Sequence, residues 1–212
     1  MKQEFENILF NWPNQCIRDI DLTILLSCSK DARYSLVKRA LKNKNLILLK
    51  RGVYLIGKPY KRTPPNLFEA AQQLYGPSYI SLQSALSYHQ WIPEAVYTTT
   101  SVTVKRSNHF KTPLGEFSFS AIPSSNFYMG VERVVESNAV YLMADPWKAL
   151  ADYIYIYKPL WKTLSDVTMD LRIELEALKS VDKSTLNTLK VLTSNYPNNR
   201  VKKVLTLLQR EL

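Results

Sequence analysis

Residues 30–57 carry the sequence KDARYSLVKRALKNKNLILLKRGVYLIG, whose two halves have different patterns. In the first half, apolar and basic side chains recur at helical spacing, and at about 100° per residue they fall on opposite sides. The apolar side would hold Leu36, Val37, Ala40 and Leu41, and the opposite side Ser35, Lys38, Arg39 and Lys42. Ser29 or Asp31 could cap this helix, and Asn45 would end it. The pattern predicts a helix with one face to pack and one basic face.

The second half of the stretch predicts a β-hairpin. Residues 46–49 and 53–56 are β-prone runs on either side of Lys50-Arg51-Gly52. Glycine readily adopts the backbone conformation that a tight turn requires. The first thirty residues read as helical, with a break at Pro13. The predicted order is that of a winged helix-turn-helix: helices first, then a basic helix, then a hairpin with a basic tip.

The net charge of the chain is concentrated in this region. Residues 30–62 hold eleven Lys and Arg against one acid, Asp31, and the whole chain has a formal net charge of +10. Everything outside that window is balanced, with 17 basic and 17 acidic residues. Charge packed into one short stretch indicates a surface that binds a polyanion. The plainer alternative is a solvated basic helix followed by a hairpin with no binding role.

Double-stranded DNA is the polyanion that this arrangement favours. In a helix-turn-helix the second helix enters the major groove, where Arg and Lys can reach guanine edges. RNA is disfavoured because no pair of stacking aromatic residues is expected on an exposed sheet. The hairpin tip suits phosphate or minor-groove contacts. The candidate DNA-binding residues are Lys30, Arg33, Tyr34, Ser35, Lys38, Arg39, Lys42, Lys50 and Arg51, although Arg33 points toward the apolar side.

The rest of the chain predicts a second domain. Prolines at 59, 64 and 65 indicate a linker, so the domains would be residues 1–62 and 63–212. Residues 67–75, 82–88 and 145–157 read as helices, and 97–104, 116–122 and 139–143 read as strands. After Leu160 the pattern is helical, with leucine and valine stripes that could pack internally or form a dimer seam, internal packing being favoured. The expected fold class is α+β: a winged helix-turn-helix, then a mixed α/β domain with a helical C-terminal part.

No catalytic or metal-binding set is expected. Asp19 and Asp21 form a D-x-D pair, but acids at a helix start explain it, and no Gly-Ser dipeptide accompanies it. His89 reads as a structural histidine at a helix end and His109 as a loop residue. Cys16 and Cys28 are expected to be reduced and structural. We therefore predict a protein that is not an enzyme and needs no cofactor.

The beginning of the chain, MKQEFE, has no apolar signal segment, and no later run approaches the ~20 apolar residues of a membrane span. The expectation is a cytoplasmic protein without membrane contact. Tyr153 and Tyr157 lie four residues apart and are expected in the core or an interface.

Several further stretches carry a family resemblance. They are PSYISLQSALSYHQWIPEAVY at 77–97, TPLGEF at 112–117 and ADPWKALAD at 144–152. Together with LVKRAL at 36–41 and LKRGVY at 49–54, they resemble the AbiE-type (AbiEi) antitoxins of bacterial type IV toxin–antitoxin systems, which serve in phage defence. The resemblance covers about residues 20–160, with a looser match beyond.

The resemblance implies two activities. The N-terminal domain would bind inverted repeats in the promoter of its own operon and act as an autoregulating transcriptional repressor. The second domain would counter a nucleotidyltransferase-like toxin, with or without binding it directly. The alternative is a transcriptional regulator whose second domain binds a ligand or another protein and which has no toxin partner. An enzyme acting on nucleic acid or on the toxin is the weakest alternative, since no catalytic set converges in the sequence.

Overall fold

The computed structural model describes residues 2–61, 63–123, 125–136, 139–179 and 183–211. Over these residues the fold is a mixed α+β arrangement with ten helices and two sheets, which confirms the predicted fold class at that level. Arg62, where the sequence places the boundary between two domains, lies outside the described residues.

The N-terminal unit contains three helices and a three-stranded antiparallel sheet in the order β1-β3-β2. Its elements are α1 (Lys2–Asn11), β1 (Cys16–Arg18), α2 (Asp19–Leu25), α3 (Lys30–Lys42), β2 (Leu46–Lys50) and β3 (Val53–Ile56). The basic helix and the hairpin are where the sequence predicts them. Strand β1 was not predicted, because three residues carry too little pattern to stand out within a stretch that reads as helical.

Both ends of α3 are defined by local hydrogen bonds. Ser29 is the N-cap, and its Oγ accepts the Ala32 N–H at 3.3 Å, as one of the two predicted caps would. The prediction that Asn45 ends the helix is wrong, since the helix ends at Lys42. The left-handed residue beyond it is Lys44, with φ 57°. Asn45 instead accepts the Gly57 N–H at its carbonyl, which joins the start of β2 to the end of β3.

The second unit is built on a six-stranded sheet in the order β6-β7-β5-β4-β9-β8. Its strands are β4 (Ser78–Ile80), β5 (Thr98–Thr103), β6 (Asn108–Thr112), β7 (Gly115–Ala121), β8 (Val131–Glu136) and β9 (Ala139–Ala144). Its helices are α4 (Leu67–Leu74), α5 (Leu82–Tyr88), α6 (Pro146–Tyr157), α7 (Leu164–Leu171), α8 (Leu175–Lys179), α9 (Lys183–Asn195) and α10 (Asn199–Glu211). The β4–β9 and β5–β7 pairs are parallel and the other pairs antiparallel.

The two outermost strands of this sheet, β6 and β8, were missed in the sequence. The prediction that His109 is a loop residue is wrong, because it lies within β6. Both strands are mostly exposed, with the sequences NHFKT and VERVVE. An edge strand needs few apolar side chains, so it lacks the hydrophobic run that marks a central strand.

Helices cover both faces of the six-stranded sheet. On one face, the ring of Phe68 in α4 lies 5.3 Å from the ring of Tyr141 in β9. On the other face, the hydroxyl of Tyr79 in β4 donates to Asp152 of α6 at 2.8 Å. Helices α9 and α10 pack against α6, so they form the outer layer on this second face.

The N-terminal sheet lies between its own helices and the second unit. Tyr54 and Ile56 of β3 join a core with the N-terminal helices, whereas Val53 and Leu55 join the core of the second unit. Strand β1 contacts α4, and β2 contacts β6. The layers therefore follow in the order α1–α3, N-terminal sheet, α4, six-stranded sheet, α6, and finally α9 with α10.

The predicted internal packing of the C-terminal stripes is confirmed for most of their members. Buried side chains in this region include Leu171, Leu178, Leu189, Leu192, Val201, Val204, Leu205 and Leu208. Leu175 and Leu186 remain partly open to solvent. None of the described helices is long and apolar enough to cross a membrane.

We predict that Leu205→Ala lowers the free energy of unfolding by about 2–5 kcal/mol, because the side chain is fully buried and its removal leaves a cavity. The matched change is Leu186→Ala on α9, where the side chain is 39% exposed. That variant should lose no more than about 1 kcal/mol. Urea unfolding followed by circular dichroism measures both, and equal losses would contradict the packing of α10.

Candidate nucleic-acid interface

The basic helix α3 has the two faces that its sequence predicts. Leu36, Val37 and Ala40 are buried in the core of the N-terminal unit. The exposed residues of the helix include Lys30, Tyr34, Ser35, Lys38, Arg39 and Lys42. Tyr34 is 68% exposed at the N-terminal end of the helix. The Arg39 Nε–H donates to the Ser35 carbonyl at 3.2 Å, so this guanidinium lies along the exposed surface of its own helix.

Arg33 differs from the other candidates because it lies between helices. Its side chain is only 12% exposed, and its Nε lies 3.4 Å from Oδ1 of Asp19, at the start of α2. The Asp19 N–H in turn donates to the carbonyl of Gly52 in the β2–β3 turn, at 2.9 Å. Asp19 therefore joins α2, α3 and the hairpin turn, and Arg33 positions α3 within this unit.

The second acid of the D-x-D pair also has a structural partner. The Arg18 guanidinium donates to both carboxylate oxygens of Asp21, at 2.8 and 3.0 Å. The hydrogen bonds from Arg18 lower the pKa of Asp21. Both acids lie in the first turn of α2, as predicted. Among the described residues, no group of three His, Cys, Asp or Glu side chains could hold a metal ion.

The two basic residues of the hairpin turn have different surroundings. Arg51 is exposed at the turn, which Gly52 completes with φ 77°. The Lys50 amine instead lies 5.6 Å from the ring centroid of Tyr75 and 5.2 Å from that of Phe110. Burial, and next the nearby charge of Lys105, lower the pKa of Lys50. Lys50 thus packs against the second unit, while Arg51 faces solvent.

The basic surface continues from the hairpin onto the second unit. The Lys105 amine lies 5.5 Å from the same Tyr75 ring that Lys50 approaches. Lys105 also donates to the carbonyl of Gly76, and the adjacent Arg106 is exposed. The hydroxyl of Tyr75 donates to the Arg106 carbonyl at 2.9 Å, which holds this segment beside the hairpin. Lys105 and Arg106 were not recognised as site residues because they lie far from the basic window in sequence.

A buried ionic cluster lies elsewhere in the second unit, at residues for which the sequence predicts no role. The Lys148 amine lies 2.8 Å from Oδ1 of Asp152, and both side chains are almost fully buried. Tyr79 and Ser81 each donate to Oδ2 of Asp152 at 2.8 Å, and Tyr196 donates to Oδ1 at 3.1 Å. Burial raises the pKa of both tyrosines, so they remain hydrogen-bond donors.

This cluster fits a structural role better than a catalytic one. Its side chains are closed off from solvent, and each oxygen of the Asp152 carboxylate accepts from protein donors. It connects β4, α6 and the segment between α9 and α10. The signal available in the sequence was the spacing of four residues between Lys148 and Asp152, which brings the two together on one helix face.

The remaining candidate residues have the predicted structural environments. His89 is the C-cap of α5, and its Nε2 lies 3.0 Å from the Ala144 carbonyl oxygen. Burial lowers its pKa. Both thiols are free, and burial followed by the charge of Glu69 raises the pKa of Cys16 to about 12. The Cys16 thiol is therefore protonated and unreactive at neutral pH.

No model of a known protein family matches the chain, and no curated protein matches it in sequence.

Asp145, the N-cap of α6, gives the structure a measurable pH dependence. Its Oδ1 accepts the Lys148 N–H at 2.7 Å, and burial raises its pKa to about 6 from an ordinary value of 3.8. Because the folded pKa is the higher one, the stability linked to this proton is present below about pH 4 and is lost as pH rises through 6.

We predict that Asp145→Asn raises the melting temperature at pH 8 and not at pH 4, because asparagine retains the cap without the buried charge. The gain at pH 8 has an upper limit of about 3 kcal/mol, the equivalent of two pKa units. Asp166→Asn is the control, and its effect on stability should have the opposite sign. The hydrogen bond from the Lys162 N–H lowers the pKa of Asp166, so the charged carboxylate is the stabilising form. That variant should lose stability at pH 8, and thermal unfolding across pH 4–8 measures both. An Asp145 variant with no pH-dependent gain would refute the assignment.

Proposed function

We propose that the N-terminal unit is a winged helix-turn-helix that binds double-stranded DNA. The observation that carries the proposal is the outward face of α3. It presents Lys38, Arg39 and Lys42, while the opposite face is buried in the core. A helix of this size with one anchored face fits the major groove, where Arg and Lys reach the O6 and N7 atoms of guanine.

Different members of the candidate set would make different contacts. Lys30 and Tyr34 lie at the start of α3, where a recognition helix inserts most deeply. Ser35, Arg39 and Lys42 follow along the exposed face. Arg33 would act indirectly by holding α3 to α2 through Asp19. This arrangement separates the residues that touch DNA from the residue that orients the helix.

The hairpin would supply phosphate contacts. Arg51 is free to reach a phosphate or the minor groove. Lys50 and Lys105 lie near the same ring, so together they would form a positive edge that continues onto the second unit. If about five phosphate contacts form, log K should fall with log salt at a slope of roughly −4 to −5.

We further propose that the chain is the antitoxin of a bacterial toxin–antitoxin system and represses its own operon. This step rests on the resemblance of residues 20–160 to AbiE-type antitoxins, together with the DNA-binding geometry of α3. The DNA partner would be a promoter with inverted repeats. The functional partner would be a nucleotidyltransferase-like toxin. Rescue of bacterial growth when the chain is co-expressed with the toxin encoded beside it tests this step.

A cavity in the second unit supports the alternative, a regulator that responds to a ligand and has no toxin partner. The cavity has a volume of about 440 Å³, and its lining includes Gln83, Thr98, Tyr153, Tyr157 and Asp170. The rings of Tyr153 and Tyr157 lie 4.5 Å apart. This volume is within the range of small-molecule sites, ~300–1,000 Å³. A neighbouring gene unrelated to nucleotidyltransferases, together with no effect of the chain on toxicity, would favour this alternative.

We predict that Arg39→Ala combined with Lys42→Ala weakens binding to the upstream DNA by at least ~2 kcal/mol, the scale of two lost specific contacts. Fluorescence anisotropy with the upstream duplex and a scrambled duplex measures the change. Lys162→Ala with Lys190→Ala removes the same charge from exposed positions on the second unit and should have a much smaller effect. Equal binding by the α3 variant and the wild type would exclude α3 as the recognition helix.

Substitutions at the hairpin should affect all sequences alike. Arg51→Ala should weaken binding to upstream and scrambled duplexes by the same factor and make the salt slope shallower by about 1, because one phosphate contact is lost. Lys50→Ala should do the same and should also lower the melting temperature, because the amine packs against Tyr75 and Phe110. A loss confined to the upstream sequence would show that the hairpin reads bases instead.

A further inference from the structure

The last helix, α10, has a second basic face, which is not apparent from the balanced net charge of the chain outside residues 30–62. Its inner side is buried, with Val201, Val204, Leu205 and Leu208 in the core. Its outer side carries Lys202, Lys203, Thr206 and Arg210, which follow one another at intervals of one to four residues around the same surface. Sequence totals balance outside residues 30–62, but they do not show that cations are gathered on one side of a helix.

Two adjoining grooves run along this surface. A groove of about 450 Å³ is lined by the outer side of α10, and a groove of about 740 Å³ lies at the start of the helix. They meet at Asn199, which lines both. The charged residues that line them are Lys158, Arg200, Lys202, Lys203 and Arg210. No Asp or Glu is among the lining residues of either groove within the described part of the chain.

The cations of this surface are positioned and available. Arg200 donates to the Lys158 carbonyl at 3.3 Å, which holds its guanidinium at the junction between α6 and α10. Lys203 and Arg210 are exposed, and neither forms an ion pair with any residue that the structure describes. Among the described residues, therefore, no acidic group is in contact with either positive charge, and both side chains face solvent.

The surface on α10 lies on the opposite side of the molecule from α3. Helix α3 belongs to the first layer and α10 to the last, with the N-terminal sheet, α4, the six-stranded sheet and α6 between them. At about 10 Å for each packed layer, the two basic surfaces are several tens of ångströms apart. One straight stretch of duplex in contact with α3 does not reach α10.

We propose that the outer face of α10 is a second nucleic-acid surface, which binds phosphate backbone without reading sequence, so that one molecule holds two separate DNA segments. Lys203 and Arg210 are seven residues apart, about 10.5 Å along the helix, which matches about three base-pair steps. Thr206 and Asn199 lie in the same grooves and can donate to phosphate oxygens. This surface stands independently of the α3 interface and adds a binding site that promoter recognition does not require.

The first test measures salt dependence. Anisotropy with a fluorescein-labelled scrambled 30-base-pair duplex compares the full-length chain with the Lys203→Ala, Arg210→Ala variant across a KCl series, both in the Arg39→Ala, Lys42→Ala background. The α10 variant should have a slope shallower by about 1.8, the value for two lost phosphate contacts. Lys162→Ala with Lys190→Ala in the same background is the control and should leave the slope close to that of the parent. Equal slopes for the α10 variant and this control would overturn the proposal.

The second test measures bridging. The full-length chain is bound to upstream duplex on beads, and the beads then capture fluorescent scrambled duplex from solution. Capture should fall at least tenfold in the Lys203→Ala, Arg210→Ala variant, while its binding to the upstream duplex on the beads persists. Wild-type beads that capture no second duplex would overturn the proposal and would leave the surface to an acidic protein partner. Upstream binding that survives the α3 substitutions would instead refute the proposed recognition helix, so the two failures are distinguishable.

Discussion

Strand β3 is buried on both faces, and this constraint determines how the N-terminal unit is built. All four of its residues, Val53–Ile56, are buried, with alternate side chains in two different cores. Because one face must be covered by α1–α3, the apolar side of α3 is directed inward and its basic side outward. Because the other face must be covered by the second unit, β1 is held against α4 and β2 against β6. The exposure of Lys38, Arg39 and Lys42 and the partial burial of Lys50 both follow from this arrangement.

Periodicity in the sequence was sufficient for the long elements. Helix α3 and strands β2 and β3 lie where their patterns place them, and α6 begins at Asp145 and Pro146 as predicted. In these segments the apolar residues recur at helical spacing or form a short continuous run, so the hydrophobic pattern in the sequence is clear. Strands β1, β6 and β8 were missed because they are short or lie mostly exposed at a sheet edge, where hydrogen bonding to a neighbour decides the structure.

Side-chain environments that depend on distant residues could not be predicted. Lys50 was expected at a free hairpin tip, but Phe110, sixty positions away, lies beside it. The carboxylate of Asp152, paired with Lys148, also accepts hydrogen bonds from Tyr79 and Tyr196, which belong to other elements. A buried ion pair that loses one partner is strongly destabilising, so this cluster requires the C-terminal helices to be in place. The exposure of the DNA-binding candidates on α3 depends only on their positions around one helix. The spacing of apolar residues within that helix was therefore enough to predict it.

The double burial of the N-terminal sheet also bears on how the chain can be divided. A fragment that ended at the proline-rich segment would leave Cys16, Val53 and Leu55 without the second unit that covers them. The hydrogen bonds from Gln15 to Thr63 and Pro64 tie that segment to the N-terminal unit, so a cut there would remove them as well. Such a fragment would expose an apolar sheet face to water and would be prone to self-association. Residues from both sides of the proline-rich segment therefore share one core, and a shortened protein would need polar substitutions on the uncovered face to remain dispersed.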